Sequence, residues 1–238
     1  MTDMPMDDLF ADFDLACEFP WTEGTFSELS RYVRAVHEFL PHSSAQHAVR
    51  LRARINATAD PVEVGEFESE LEEAEHDATL VLPRLVWGGV LVAVYGTLEF
   101  GIRSTLAHWR KSAQYSVAFK KQPRESFLSS AEAYAKQHLN LELFASHVER
   151  SQLLNLGALR NSFSHGGGLL SDLPIEVADA VRARAHPGVD LDILDDQWLP
   201  NECATVFYLR LAQRTLSPFG NAVLEKCLAH NRTRPKEV

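Results

Sequence analysis

Cysteine is scarce in this chain of 238 residues: three, at positions 17, 203 and 227, with no CxxC spacing. Three thiols cannot all pair, which excludes a disulfide framework and favours a reducing compartment. All three read as small core residues. Glycine and proline are sparse too, 12 and 11, so the chain is neither fibrous nor broadly low in complexity. The best uncharged apolar run, from Leu85 to Leu98, stops at Glu99. It falls short of the roughly 18–20 residues of a membrane span, and no membrane partner is expected. Asp3, Asp7 and Asp8 stand where a secretion signal carries cations, so a cytoplasmic setting is expected. GxxxxGK[ST], GxGxxG after a strand, HExxH and GxSxG are all missing, and none of the ten histidines has a second ligand at zinc spacing. Gly166, Gly167 and Gly168 follow a helix pattern, whereas a phosphate-cradling loop feeds a helix N-terminus. The residues therefore call for no cofactor and no metal.

What is present is a hydrophobic share of 45%, enough for a substantial core. The formal charge of −10 is unevenly spread. Residues 1–77 hold 18 acidic and 5 basic side chains; residues 78–238 hold 15 and 18. From position 101 to 124 there are six cations (Arg103, Arg110, Lys111, Lys120, Lys121 and Arg124) and no carboxylate. A local positive surface binds phosphates even on an acidic protein, although such a run is also what a solvated helix end looks like.

Periodicity predicts a mainly α chain, an up-and-down bundle of about five or six helices with at most a short β-hairpin near 188–199. Residues 1–24 read as an acidic arm. Thr25 and Glu28 suit a capping box for a helix that Pro41 ends. Val49, Leu51, Ala53 and Ile55 alternate with Arg50, Arg52, Arg54 and Asn56, a period-2 pattern that leaves strand and helix open. Asp60 and Pro61 open a Glu-rich helix, whose carboxylates must face solvent or a basic partner. Pro83 kinks or restarts it. An apolar helix over 84–110, a break at Gln122–Pro123, and helices over 126–138 and 140–165 follow. Gly166 is the expected left-handed stop. The last helix starts at Pro200 and is interrupted at Pro218. Domains are expected as an acidic extension over 1–77 and a helical bundle over 78–232.

One constellation carries chemistry: Arg160-Asn161-Ser162-Phe163-Ser164-His165, at the end of an apolar helix and before the glycines. At 100° per residue Asn161 and His165 lie about 40° apart, and Arg160 about 140° from His165. An arginine that stabilises charge on a phosphate beside a histidine that moves a proton suits phosphodiester chemistry. The bare spacing is unspecific, since Arg31/His37 and Arg103/His108 share it. Only the third pair has the Asn, the helix end and the glycine stop. For Arg103 the simple account is an i,i+4 ion pair with Glu99. For Arg160 and His165 it is an outer-face ion pair and a capped last turn.

This segment resembles the motif of the HEPN superfamily (higher eukaryotes and prokaryotes nucleotide-binding): an Arg, often followed by a polar residue, then a His after four to six residues. The apolar stretch with Tyr95 and Glu99 is similar to that family's earlier long helix, and the likeness spans about residues 80–230. The resemblance implies a helical bundle that forms a homodimer and acts, without cofactor or metal, as an endoribonuclease of the toxin or anti-phage-defence kind. His165 would be general acid or base, Arg160 would stabilise the phosphorane, and Asn161 would orient the phosphate or hold Arg160. Arg103, His108, Arg110, Lys111, Lys120 and Lys121 would track single-stranded RNA. A cognate antitoxin or defence partner is implied as well. Toxins controlled by a nucleotidyltransferase commonly carry a Tyr two residues after the His; this chain has Gly167 there. The alternative is a non-enzymatic helical dimerisation or nucleotide- or protein-binding module, which suits the acidic first third.

Overall fold

The computed structural model describes residues 20–166, 168–182, 192–194 and 197–233. The chain is mainly α-helical, a helical bundle. Its helices are α1 (Pro20–Ala57), α2 (Pro61–His76), α3 (Leu82–Ser112), α4 (Phe127–Tyr134), α5 (His147–Gly166), α6 (Ile175–Arg182) and α7 (Glu202–Thr233). A π-turn, Asp77–Val81, joins α2 to α3, and a second, Ala135–Leu139, extends α4. Strands β1 (Asp192–Leu194) and β2 (Gln197–Leu199) pair antiparallel, with Ile193 opposite Trp198. That is the expected hairpin, in the part of 188–199 that is described.

Several local expectations are corrected. Helix α1 begins at Pro20, so Thr25 and Glu28 lie inside it and form no capping box. It also runs on through Pro41 to Ala57. Pro41 has no N–H to give; one residue on, the His42 ring places Nδ1 2.9 Å from the Glu38 carbonyl and bonds a turn that proline loosens. The 49–55 alternation is helical. Leu51 is buried while Val49 is 60% exposed, as a 3.6 period requires and a period of two forbids. At Pro83 the helix does not restart: the π-turn just before it joins the helices on either side, so 61–112 is one continuous helix. Helix α5 starts at His147, not 140, because Asn140 is left-handed (φ 50°). Its N-terminus is set by Ser146, whose hydroxyl accepts from the Glu149 N–H at 3.1 Å. Pro218 does not interrupt α7; Thr215, Leu216 and Phe219 around it are all buried, and that packing outweighs the roughly 3 kcal/mol of a mid-helix proline.

Other expectations hold. Asp60 caps α2, accepting from the Val62 N–H at 2.9 Å. Residues 113–126 break the helix. The Glu-rich α2 buries none of its residues, and two of its carboxylates do meet basic partners: Glu75 with Arg52 at 2.6 Å and Glu70 with Arg54 at 3.9 Å. Cys227 is buried, but Cys203 is exposed rather than in the core; Cys17 lies outside the described residues. The helix over 61–112 is long and apolar enough, by length and composition, to cross a membrane. It tolerates Glu99, which a count of uncharged residues does not. Val90, Leu91, Val94, Leu98 and Ile102 of that helix are buried in the protein's own core.

The chain divides into two compact units, one of Met1–Glu28, Ala93–Asn161 and Tyr208–Val238, the other of Leu29–Val92 and Ser162–Phe207. In the first unit, the core comes from Val94, Leu98 and Ile102 of α3, Leu153, Leu156 and Leu159 of α5, and Tyr208, Ala212, Leu216, Phe219 and Val223 of α7. These recur at three- and four-residue steps, so each helix turns one apolar stripe inward. The core of the second is built from Val33, Leu51, Trp87, Val90, Leu91, Val177, Val181 and Trp198.

Candidate functional site

The sequence motif lies on the last two turns of α5. Leu159 and Ser162 are buried, Arg160 and Phe163 are half-buried, and Asn161, Ser164 and His165 are exposed. The apolar side thus anchors the helix and the polar side is open to solvent.

Arg160 is held on two sides. Its Nη1 donates to the Asn161 side-chain oxygen at 2.8 Å, so the residue that follows the arginine holds it. Its guanidinium carbon lies 5.2 Å from the centre of the Tyr95 ring, in cation–π contact. Its Nε is buried and has no hydrogen-bond acceptor among the described residues. Tyr95 itself is buried. Its hydroxyl is pushed up to about 12, first by burial and then by the Glu99 carboxylate, with Arg160 pulling the other way. The phenol is therefore neutral throughout the working pH range and serves as no base. Gly157, one turn before Arg160, makes room for this ring: a Cβ there would lie 3.1 Å from Tyr95 Cε2.

His165 stands one residue before the helix ends at Gly166, and the turn behind it is latched. Ser162 donates to the Leu169 carbonyl at 2.9 Å and accepts from the Trp198 indole N–H at 3.3 Å. The Gly168 N–H returns to the Ser162 carbonyl at 3.1 Å, and the Trp198 N–H donates to the Gly168 carbonyl at 3.0 Å. Gly168, with φ +85°, is the left-handed residue here; Gly166 is the last helical one. A side chain at 168 would meet the Trp198 carbonyl as well as the strain of positive φ. The Phe163 ring occupies the place of a Cβ at Gly88 and packs against Trp198 with ring centres 6.0 Å apart.

The residues expected to meet RNA lie on α3 and the segment after it. Arg103 pairs with Glu99 at 2.9 Å and stacks over Phe127 at 4.8 Å, so its charge is already engaged. His108 is half-buried, with Nε2 3.1 Å from the Ser112 hydroxyl. Arg110 and Lys111 are exposed in the last turn of α3, where cations complement the helix dipole. Lys120, Lys121 and Arg124 are exposed in the segment before α4. Among the described residues none of Arg110, Lys111, Lys120, Lys121 and Arg124 is in an ion pair. Aromatic rings brace this segment. The Tyr115 hydroxyl meets His138 Nδ1 at 3.0 Å, the Tyr134 hydroxyl donates to the Val117 carbonyl at 2.7 Å, and Phe119 sits edge-on to Phe127 and Tyr134. Arg31 and His37, with the same spacing as the motif, are both exposed on α1.

Ser162, Trp198 and Gly157 support the motif and were not singled out by the sequence. Their only signal was a glycine inside an apolar helix and a serine on the buried side of the motif. Among the described residues no three His, Cys, Asp or Glu side chains come together to hold a metal ion. No protein-family model, no curated protein and no solved structure matches this chain.

Proposed function

We propose that this protein is a HEPN-type endoribonuclease of the toxin or anti-phage-defence kind, acting in the cytoplasm as a homodimer on single-stranded RNA without a metal. The observation that carries this reading is the state of Arg160: a guanidinium fixed by Asn161 and the Tyr95 ring, on the same helix end as an exposed His165. A fixed cation and a solvent-facing imidazole are what transfer at a phosphodiester needs.

In the reaction the RNA 2′-oxygen forms a bond to the adjacent phosphorus and the bond from phosphorus to the 5′-oxygen breaks. A proton leaves the 2′-hydroxyl and one arrives at the 5′-oxygen. His165 carries one of these transfers. Arg160 neutralises the charge that builds on the non-bridging oxygens. The products are a 2′,3′-cyclic phosphate and a 5′-hydroxyl. The exposed cations Arg110, Lys111, Lys120 and Lys121 attract the RNA backbone.

The test is cleavage of a labelled RNA, with EDTA present, by wild type, Arg160→Ala and His165→Ala. Cyclic-phosphate ends from wild type, cut to a small residual in either variant, support the reading. No cleavage by folded, dimeric wild type overturns it in favour of a helical binding module, in which the exposed carboxylates of α2 become the surface to probe for a protein partner.

A further inference from the structure

We propose that Tyr95 is a positioning residue for Arg160: its neutral ring is the platform that holds the guanidinium in one orientation. This rests on the reading of Arg160 as the charge-stabilising group. The guanidinium leaves its Nε–H buried and without an acceptor among the described residues, an arrangement that a mobile surface arginine would relieve by turning outward to water. Asn161 restrains only the Nη1 edge. The second restraint is the Tyr95 ring, 5.2 Å beneath the guanidinium carbon.

The ring is in turn fixed from below. Tyr95 is buried among the neighbours of α3, with Val94 and Leu98 at 0% exposure on either side of it in sequence. It also presses on Gly157, where even a methyl group would lie 3.1–3.4 Å from Cε2, Cζ and the hydroxyl. Positions 157 and 160 are three residues apart and therefore share a helix face, so the ring spans the glycine gap and meets the arginine one turn on. The bulk of a phenyl ring, and not its hydroxyl, does this work: no hydrogen bond from the hydroxyl is formed with another described residue. Arg160 consequently meets a phosphate already oriented, and the benefit falls on the transition state rather than on binding.

The experiment compares Tyr95→Phe, Tyr95→Leu, Arg160→Ala and the Tyr95→Leu/Arg160→Ala double variant in two measurements. The first is the arginine side-chain NMR signal of Arg160 Nε–H in the free protein, which ring-current shift and slow exchange mark as stacked and buried. The second is RNA cleavage with EDTA. We expect Tyr95→Phe to keep the shifted signal and cleavage within about threefold of wild type. Tyr95→Leu should lose the shift and lower kcat about tenfold, with KM moved less. The double variant should be no slower than Arg160→Ala alone. An Arg160 signal unchanged in Tyr95→Leu, a loss in Tyr95→Phe equal to that in Tyr95→Leu, or losses that multiply in the double variant would each overturn the proposal. If wild type cleaves no RNA, the ribonuclease reading fails and the NMR signal alone decides the positioning role. If Tyr95→Leu does not fold, Gly157→Ala takes its place: displacing the ring should erase the same shift, and an unmoved signal counts against the platform.

Discussion

The indole nitrogen of Trp198 donates to the hydroxyl oxygen of Ser162, 3.3 Å away, on the buried side of the motif helix. Ser162→Ala removes the acceptor and leaves the indole N–H unpaired in the core. A loss of about 1–3 kcal/mol is expected, read as a lower denaturant midpoint with an unchanged slope. The Leu169 carbonyl loses one of its two donors in the same variant and keeps the Asp172 N–H at 3.3 Å, so the turn that holds Gly168 loosens as well. RNA cleavage should fall with the anchoring of His165 even though Ser162 touches no substrate. Cleavage and midpoint both at wild-type values would mean that the latch is incidental.

The Phe163 ring lies where a Cβ at Gly88 would stand. Alanine at an exposed helix position gains roughly 1 kcal/mol over glycine, and Gly89, with nothing within 4 Å of its Cβ position, is such a site. Gly89→Ala should therefore stabilise. Gly88→Ala should destabilise by about 1–3 kcal/mol, because overpacking exceeds the propensity gain. Adding Phe163→Leu to Gly88→Ala should recover most of that loss. Equal thermal midpoints for the two alanine variants would refute the packing account.

These contrasts show which features could be read from the sequence. The helix stripes of α3, α5 and α7 were legible because their buried residues recur at three- and four-residue steps. The Asp60 cap was legible because cap and first-turn proline are adjacent. Pro41, Pro83 and Pro218 misled as helix breaks, since packing and a π-turn absorb what a proline costs locally. The capping signal at Thr25 and Glu28 falls inside a helix already begun at Pro20, while Ser146 and Glu149, at the same spacing, start α5. At the site, Arg160, Asn161 and His165 could be placed on one helix from their spacing. The Tyr95 platform and the Trp198 latch could not, because both bring together residues more than 30 positions apart.

Burial raises the Tyr95 hydroxyl to about 12 and the Cys227 thiol to about 11, and it pushes Tyr208 up as well. Each group is neutral when protonated, and the unfolded chain loses its protons first as pH rises. The native state thus binds more protons above about pH 9, and stability falls there. It is intact below pH 9, and the Tyr95 share, on the order of 2–3 kcal/mol, is lost between pH 10 and 12. Denaturant midpoints taken from pH 8 to 11.5 should decline, and Tyr95→Phe should flatten the curve above pH 10. A wild-type curve without that decline would contradict the burial of these groups.

Five exposed cations with no ion-pair partner among the described residues, Arg110, Lys111, Lys120, Lys121 and Arg124, sit in a segment with no carboxylate. If they track a single-stranded backbone, each phosphate contact adds about 0.7 to the slope of log affinity against log salt. Lys120→Ala/Lys121→Ala should lower the slope by about 1.4 and weaken binding to every RNA sequence alike. Arg103→Ala should change it less, because Arg103 is already neutralised by Glu99. Arg160→Ala should alter the slope by at most one contact while cutting cleavage to a small residual rate, which separates attraction from chemistry. Fluorescence anisotropy of a labelled oligonucleotide with a deoxy substitution at the scissile 2′ position, titrated at four salt concentrations, measures all four proteins without turnover. Identical slopes for wild type and the double lysine variant would remove these side chains from the RNA path and leave the charge run as a solvated surface.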